Sequence, residues 1–131
     1  MSYQTNIFQK TSANEFFREV LFTGVKSQLV VMNIPVGGEI GEETHMNVEQ
    51  VLFNFSGEGK VILNDVETPF LQGDVVIVTP GTKHNFINTG NEVLKIYTIY
   101  APANHIDKRI HKTKEDADRD LADEEFGHSV D

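Results

Sequence analysis

The chain has no cysteine. Disulfides, thiolate metal ligands and cysteine nucleophiles are therefore excluded. Positive charge is scarce as well: 11 Lys and Arg stand against 20 Asp and Glu, for a formal net charge of -9. Phosphate backbones and anionic membrane surfaces would be repelled overall, so neither nucleic acid nor a membrane is an expected partner. A small neutral or locally matched ligand is easier to accommodate. No apolar run approaches the length that spans a bilayer, and residues 1–5 lack the basic-then-apolar pattern of a secretory leader, so a cytoplasmic protein is expected. Repeats at solenoid periods, low-complexity tracts and parallel strand-helix-strand alternation are also missing. With 131 residues and 39% hydrophobic content, one ordinary core fits and a second does not.

What is present reads as short strands. Residues 1–10 are polar apart from Ile7 and Phe8 and suit a short edge strand or an arm on a partner. Residues 16–22 are rich in aromatic and branched side chains and stop at Thr23-Gly24, as a strand does. Residues 25–34 form a second strand, with Leu29 to Met32 apolar enough to be buried on both faces, and Pro35 ends it. Alternating residues 48–55 reach a hairpin signal at Ser56-Gly57-Glu58-Gly59, and strands follow at 60–63, 66–71, 75–78, 84–88 and 93–100. Eight or nine short strands at close spacing predict an all-β fold, an antiparallel barrel or sandwich, over residues 1–103.

From residue 104 the chain turns polar. Thr113 and the acidic residues after it read as a helix start, with Ala117, Leu121 and Phe126 as a thin apolar stripe. Such a tail, residues 104–131, either packs Leu121 and Phe126 on the barrel or frays.

Two polar clusters sit between the strands. In the first, Gly37 is followed after five residues by Glu43-Thr44-His45, after four more by Gln50, and after six by Gly57. In the second, Gly73 is followed after five residues by Thr79-Pro80-Gly81, then by His84 and Asn88. Together they resemble the paired signature motifs of the cupin superfamily, in small single-domain bacterial form; two motifs in order are a specific signal. The resemblance implies a jelly-roll β-barrel whose motifs supply three histidines and one glutamate to a divalent metal. At those four positions this chain has Glu43, His45, Gln50 and His84. It thus departs from the pattern at two, with Glu43 in place of a histidine and Gln50 in place of the glutamate.

One carboxylate survives the exchange, so the formal ligand charge is unchanged. Ligand strength is not. An amide oxygen is a weaker donor than imidazole or carboxylate, which leaves Glu43, His45 and His84 to hold the ion and Gln50 to steer a water. Two histidines and one carboxylate suit Fe, Mn, Ni or Zn. No organic cofactor is expected. The implied function is a metal-dependent reaction on a small organic molecule, of oxygenase, isomerase or lyase type, with Glu43 as the candidate proton carrier. The other reading is a noncatalytic small-molecule binding or sensing module.

Without the paired motifs, Glu43 and His45 two apart on a strand would be a hydrogen-bonded polar pair. His105 and His111 read as solvated, unless a tail folded over the barrel mouth brings one of them in as a general acid or base, and His128 reads as disordered. No Lys, Arg or Tyr stands out as facing the pocket. Phe53, Phe55, Phe70 and Phe86 read as barrel lining, Asn88 as a strand-end hydrogen bonder, and the motif glycines as turn residues. The long apolar strands near the N-terminus leave an edge to be covered, so a homodimer is expected.

Overall fold

Along residues 49–56, burial alternates: Gln50, Leu52 and Asn54 are buried, while Val51, Phe53 and Phe55 are only half-buried. That period of two gives one face to a core and the other to the outside. The computed structural model describes residues 1–131. The same alternation holds in the paired strands, and the chain forms two antiparallel sheets around one core.

In chain order the elements are α1 (Ile7–Ala13), β1 (Arg18–Thr23), β2 (Gln28–Ile34), β3 (Glu49–Ser56), β4 (Gly59–Leu63), β5 (Val66–Phe70), β6 (Val75–Val78), β7 (His84–Asn88), β8 (Leu94–Ala101), β9 (Ile110–His111), α2 (Lys114–Arg119) and α3 (Leu121–Val130). The larger sheet runs β6-β3-β8-β2-β1-β9 and the smaller β5-β4-β7. Isolated bridges Glu39 to Ile87 and Glu43 to His84 lay the loop before β3 along the open edge of β7. This is the expected all-β jelly-roll arrangement, with short helices at the C-terminal end. The core of 14 buried apolar residues lies between Phe17 and Tyr100. No helix is long and apolar enough to cross a membrane.

Register brings polar residues to one part of this interior. Gln28 and Gln50 flank Tyr100 on the central strand β8, and all three are buried. Gln28 accepts from the backbone N–H groups of Asn104 and His105 and donates to the His105 carbonyl, so the chain leaving β8 is pinned back over the sheet.

Four expectations need correction. Residues 7–13 are a helix, because Asn6 caps it by accepting from Gln9 N–H and Phe8 packs against Phe55 and Tyr97. Those contacts also put Phe55, and Phe53 stacked on Tyr97, outside the barrel; only Phe70 and Phe86 line it. The tail folds onto the sheets without the predicted stripe. Leu121 is 72% exposed and Phe126 half-buried, while Asp123 and Gly127 are the buried residues of α3. Gly127 sits there because its missing side chain admits the Asn104 backbone, whose oxygen would lie 3.1 Å from a Cβ. Finally, β9 covers the outer edge of β1 only at Arg18 and Glu19, and a further apolar edge lies at β6, where Val75 and Ile77 are exposed.

Candidate functional site

The two polar clusters meet through their backbones. Glu43 and His84 exchange N–H and C=O at 3.0 and 2.9 Å, and the Gly81 N–H donates to the His45 carbonyl at 2.7 Å. Such pairing needs the chain to reverse tightly on either side, and Gly41 and Gly81 do so with φ of 115° and 87°. Three of the four predicted ligand residues, Glu43, His45 and His84, are thereby brought together.

Glu43 Oε2 lies 3.0 Å from His45 Nε2. The other ring nitrogen of His45, Nδ1, lies 3.1 Å from Asp131 Oδ2. Burial opposes charge on His45, but its two carboxylate partners outweigh burial and raise its pKa above the ordinary value. Burial would likewise raise Glu43, yet the hydrogen bond and charge of His45, with Arg18 and His105 further off, bring it down to about 2. Each partner thus favours the charged form of the other, carboxylate on Glu43 and imidazolium on His45.

His84 differs. Its Nδ1 faces the Thr82 carbonyl at 2.9 Å, which can only accept, so Nδ1 carries the proton and Nε2 keeps its lone pair. Burial, with the charge of His45, lowers its pKa and keeps it neutral. The His45 and His84 ring centroids are 5.3 Å apart. Gln50 is buried, its amide nitrogen donating to Thr98 Oγ1 at 3.2 Å, which leaves the amide oxygen as its atom for a ligand.

These residues fit a divalent ion in their donor chemistry. A ligating imidazole is normally held at its far nitrogen by a carbonyl or carboxylate, as Thr82 and Asp131 hold His84 and His45. Two donors each about 2.1 Å from a shared ion and at right angles stand about 3.0 Å apart, which Glu43 and His45 already do. A proton between them satisfies the same geometry, so ion and proton compete for one place.

A cavity of about 530 Å³ opens beside this cluster. Glu43 and His45 line it, while Gln50 and His84 do not. Of its far wall, sequence reasoning named only His105, as a residue a folded-over tail could bring in. Arg18 of β1 and His105 both face it and are 6% and 8% exposed, and α3 closes it with Asp123, Gly127 and Asp131. His128, expected to be disordered, lies on α3 and also lines the cavity. His105 and His111 are buried rather than solvated. His105 Nδ1 donates to Asp123 Oδ2 at 2.7 Å, and burial, then the Arg18 charge, lowers its pKa so that the ring is neutral. Tyr100 packs edge-on against that ring at 5.0 Å and burial pushes its hydroxyl up to about 12, so it stays protonated. The one signal available was the polar character of residues 104–111 just after a strong strand.

A second cluster, His111, Asp120 and Asp123, has ligand atoms within 4.8 Å of one another, tighter than the predicted set. Its atoms are already engaged. Arg109 donates twice to Asp120, at 2.7 and 3.1 Å, His111 Nε2 donates to Asp120 at 2.9 Å, and Asp123 accepts from His105 and from the Ile106 N–H. A guanidinium already neutralises the carboxylate that a cation would need. This cluster is a clasp that fastens the tail.

The family model for the cupin domain matches residues 30–100. The Bacillus subtilis (strain 168) protein YrkC is 39% identical over 121 residues, 88% of this chain and 65% of its own length, so this chain spans just under two thirds of that relative. A solved structure from Bacillus halodurans superposes with a TM-score of 0.87 at 35% identity, covering 89% of this chain and 93% of that one. A Thermotoga maritima structure described as a predicted oxalate decarboxylase superposes with a TM-score of 0.57 at 26% identity, over 60% of this chain and 69% of that one.

Proposed function

The chain belongs to the cupin family, and from that premise we propose that it binds a divalent first-row metal through Glu43, His45 and His84 and acts on a small organic molecule held in the adjoining cavity. The observation that carries this reading is the hold on the two imidazoles: each is fixed at Nδ1 by a backbone carbonyl or a carboxylate, His45 turns Nε2 to Glu43, and His84 is joined to Glu43 through the backbone. Fe, Mn, Ni and Zn all suit such a set. When bound, the ion supplies Lewis acidity toward a ligand oxygen, or redox chemistry if it is iron or manganese.

The chain's own residues supply the rest. Glu43, 41% exposed at its side chain, reaches the cavity and shares a proton with His45, the arrangement of a group that moves a proton to or from a bound molecule. The tail, folded over the cavity, limits water around it. The likeness to the Thermotoga maritima structure is in keeping with a small organic substrate but does not identify one.

A noncatalytic binding or sensing module is the second reading, favoured by the two carboxylates, Glu43 and Asp131, that hold His45 at its two ring nitrogens. Metal analysis of protein purified without an affinity tag, with mass spectrometry of any extracted molecule, separates the two. Metal near one per chain and a ligand that is consumed support the enzyme; no metal and a ligand returned intact support the module. Oxygen uptake marks the oxygenase within the enzyme class.

A homodimer in the cytoplasm belongs to the same proposal. The edge at β6 supports the dimer, since Val75 and Ile77 present unpaired backbone and apolar side chains beside half-buried Phe53.

A further inference from the structure

Arg18 is buried, and no carboxylate forms an ion pair with it. Its Nη1 donates 3.2 Å to His111 Nδ1, which as an acceptor there is a neutral ring nitrogen, and its guanidinium lies 5.2 Å from the centroid of the Phe17 ring. Its Nε–H has no partner. A buried guanidinium without a counter-charge in contact is costly unless something arrives to pair with it. On the same cavity wall, His105 Nε2 is buried without a partner, and because Nδ1 donates to Asp123 this second nitrogen is a lone-pair acceptor. The residues of one cavity wall therefore hold an unused cationic donor and an unused neutral acceptor, both covered where they stand, so that a ligand reaches them as the side chains turn toward it.

We infer that the cavity takes a small 2-hydroxy monocarboxylate, its carboxylate on Arg18 and its hydroxyl donating to His105 Nε2. This deepens the reading of the cavity as a small-molecule site and rests on it. A carboxylate alone would satisfy Arg18 but would turn a second acceptor toward His105, whereas a hydroxyl beside it supplies the missing proton. More highly charged anions fit poorly. Glu42 and Glu124 stand exposed on the cavity lining, and Glu43, Asp123 and Asp131 are within it, so a phosphate or a dicarboxylate meets net repulsion that a monoanion paired with Arg18 largely escapes. His111 and Asp120 hold Arg18 from behind, with His111 Nε2 donating to Asp120, so the guanidinium is positioned before any ligand enters.

The test is isothermal titration of the full chain with lactate, propionate and inorganic phosphate, with bound metal counted on the same samples. Lactate is expected to bind at least about tenfold more tightly than propionate, since loss of the hydroxyl leaves His105 Nε2 unpaired, and phosphate is expected not to bind. Arg18→Lys keeps the charge but loses the fork and should weaken lactate about tenfold or more. His105→Phe should bring lactate and propionate to equal affinity. Where that variant does not fold, the wild-type ratio of lactate to propionate carries the same test. Equal binding of lactate and propionate by the wild type, or lactate binding indifferent to Arg18→Lys, overturns the assignment. Metal-loaded protein that ignores lactate overturns it too and leaves the metal reading standing; metal-free protein that binds lactate through Arg18 supports it and removes the metal reading.

Discussion

His105, just beyond the last long strand, donates its Nδ1 proton to Asp123 of α3 over 2.7 Å, and both side chains are buried. This contact ties the C-terminal helix to the wall of the cavity. The Ile106 N–H donates to the other oxygen of the same carboxylate at 2.7 Å. Asp123→Ala should therefore cost about 2–4 kcal/mol, since a buried backbone donor and a buried imidazole donor both lose their acceptor. Glu124→Ala, one residue on and exposed, should change stability by less than about 0.5 kcal/mol. Urea unfolding of the two variants checks the contrast.

Deleting everything after Thr113 should leave a folded barrel with a lower melting temperature. All 14 residues of the core cluster lie before the cut, and only Ala117 and Val130 of the removed segment pack against it. A single cooperative circular-dichroism transition is expected; loss of cooperativity would make the tail part of the core.

The stability of the metal-free protein should peak near neutrality and fall on the acid side. His84 and His105 have lowered pKa values, chiefly from burial, so as pH drops through about 6.5 the unfolded chain takes up protons that the folded chain refuses. Each such group removes up to about 1.4 kcal/mol per pH unit between its two pKa values. His45 acts in the opposite sense. Its raised pKa contributes stability that is fully present below about 6.5 and is lost as pH rises through the folded value. Thermal melts across pH 5–8 on the wild type and on His105→Phe should show a shallower acid limb in the variant.

Glycine positions give a packing test. Gly57 and Gly73 both have positive φ, 93° and 91°, but a Cβ at Gly57 would stand 2.5 Å from the Val93 carbonyl oxygen and one at Gly73 would meet nothing within 4 Å. Gly73→Ala should cost about 1–2 kcal/mol from backbone strain alone. Gly57→Ala should cost clearly more, because β3 and β8 must separate locally. Melting temperatures of the two variants give the comparison.

The strands and the site differ in how far the residues announced them. Strands were legible because alternation is local: residues 49–56 and 94–101 bury every second side chain, and glycines close the turns between them. That Glu43, His45 and His84 come together was legible through the spacing of the two clusters, and the backbone pairing of Glu43 with His84 is what joins them. Phe53 and Phe55 were misassigned because aromatic residues suit either face of a sheet, and only α1 packing on the outside decides between them. Arg18 and Asp123 were not legible as cavity residues, and His105 only as one a folded-over tail could bring in. Arg18 and Asp123 lie 105 positions apart and reach one wall only because β9, α2 and α3 turn the tail back, fastened by Arg109, His111 and Asp120.

The most direct measurement is metal per chain, after identical dialysis, for the wild type and for Glu43→Ala, His45→Ala, His84→Ala and Gln50→Ala. Removing a carboxylate or an imidazole should collapse the metal content of the first three variants. Gln50→Ala should keep most of its metal, because the amide is a weak donor whose nitrogen is committed to Thr98, and Gln50→Glu should bind at least as well as the wild type. If Gln50→Ala loses as much metal as Glu43→Ala, or if the wild type stays empty when a divalent ion is supplied, a metal held by Glu43, His45 and His84 is contradicted.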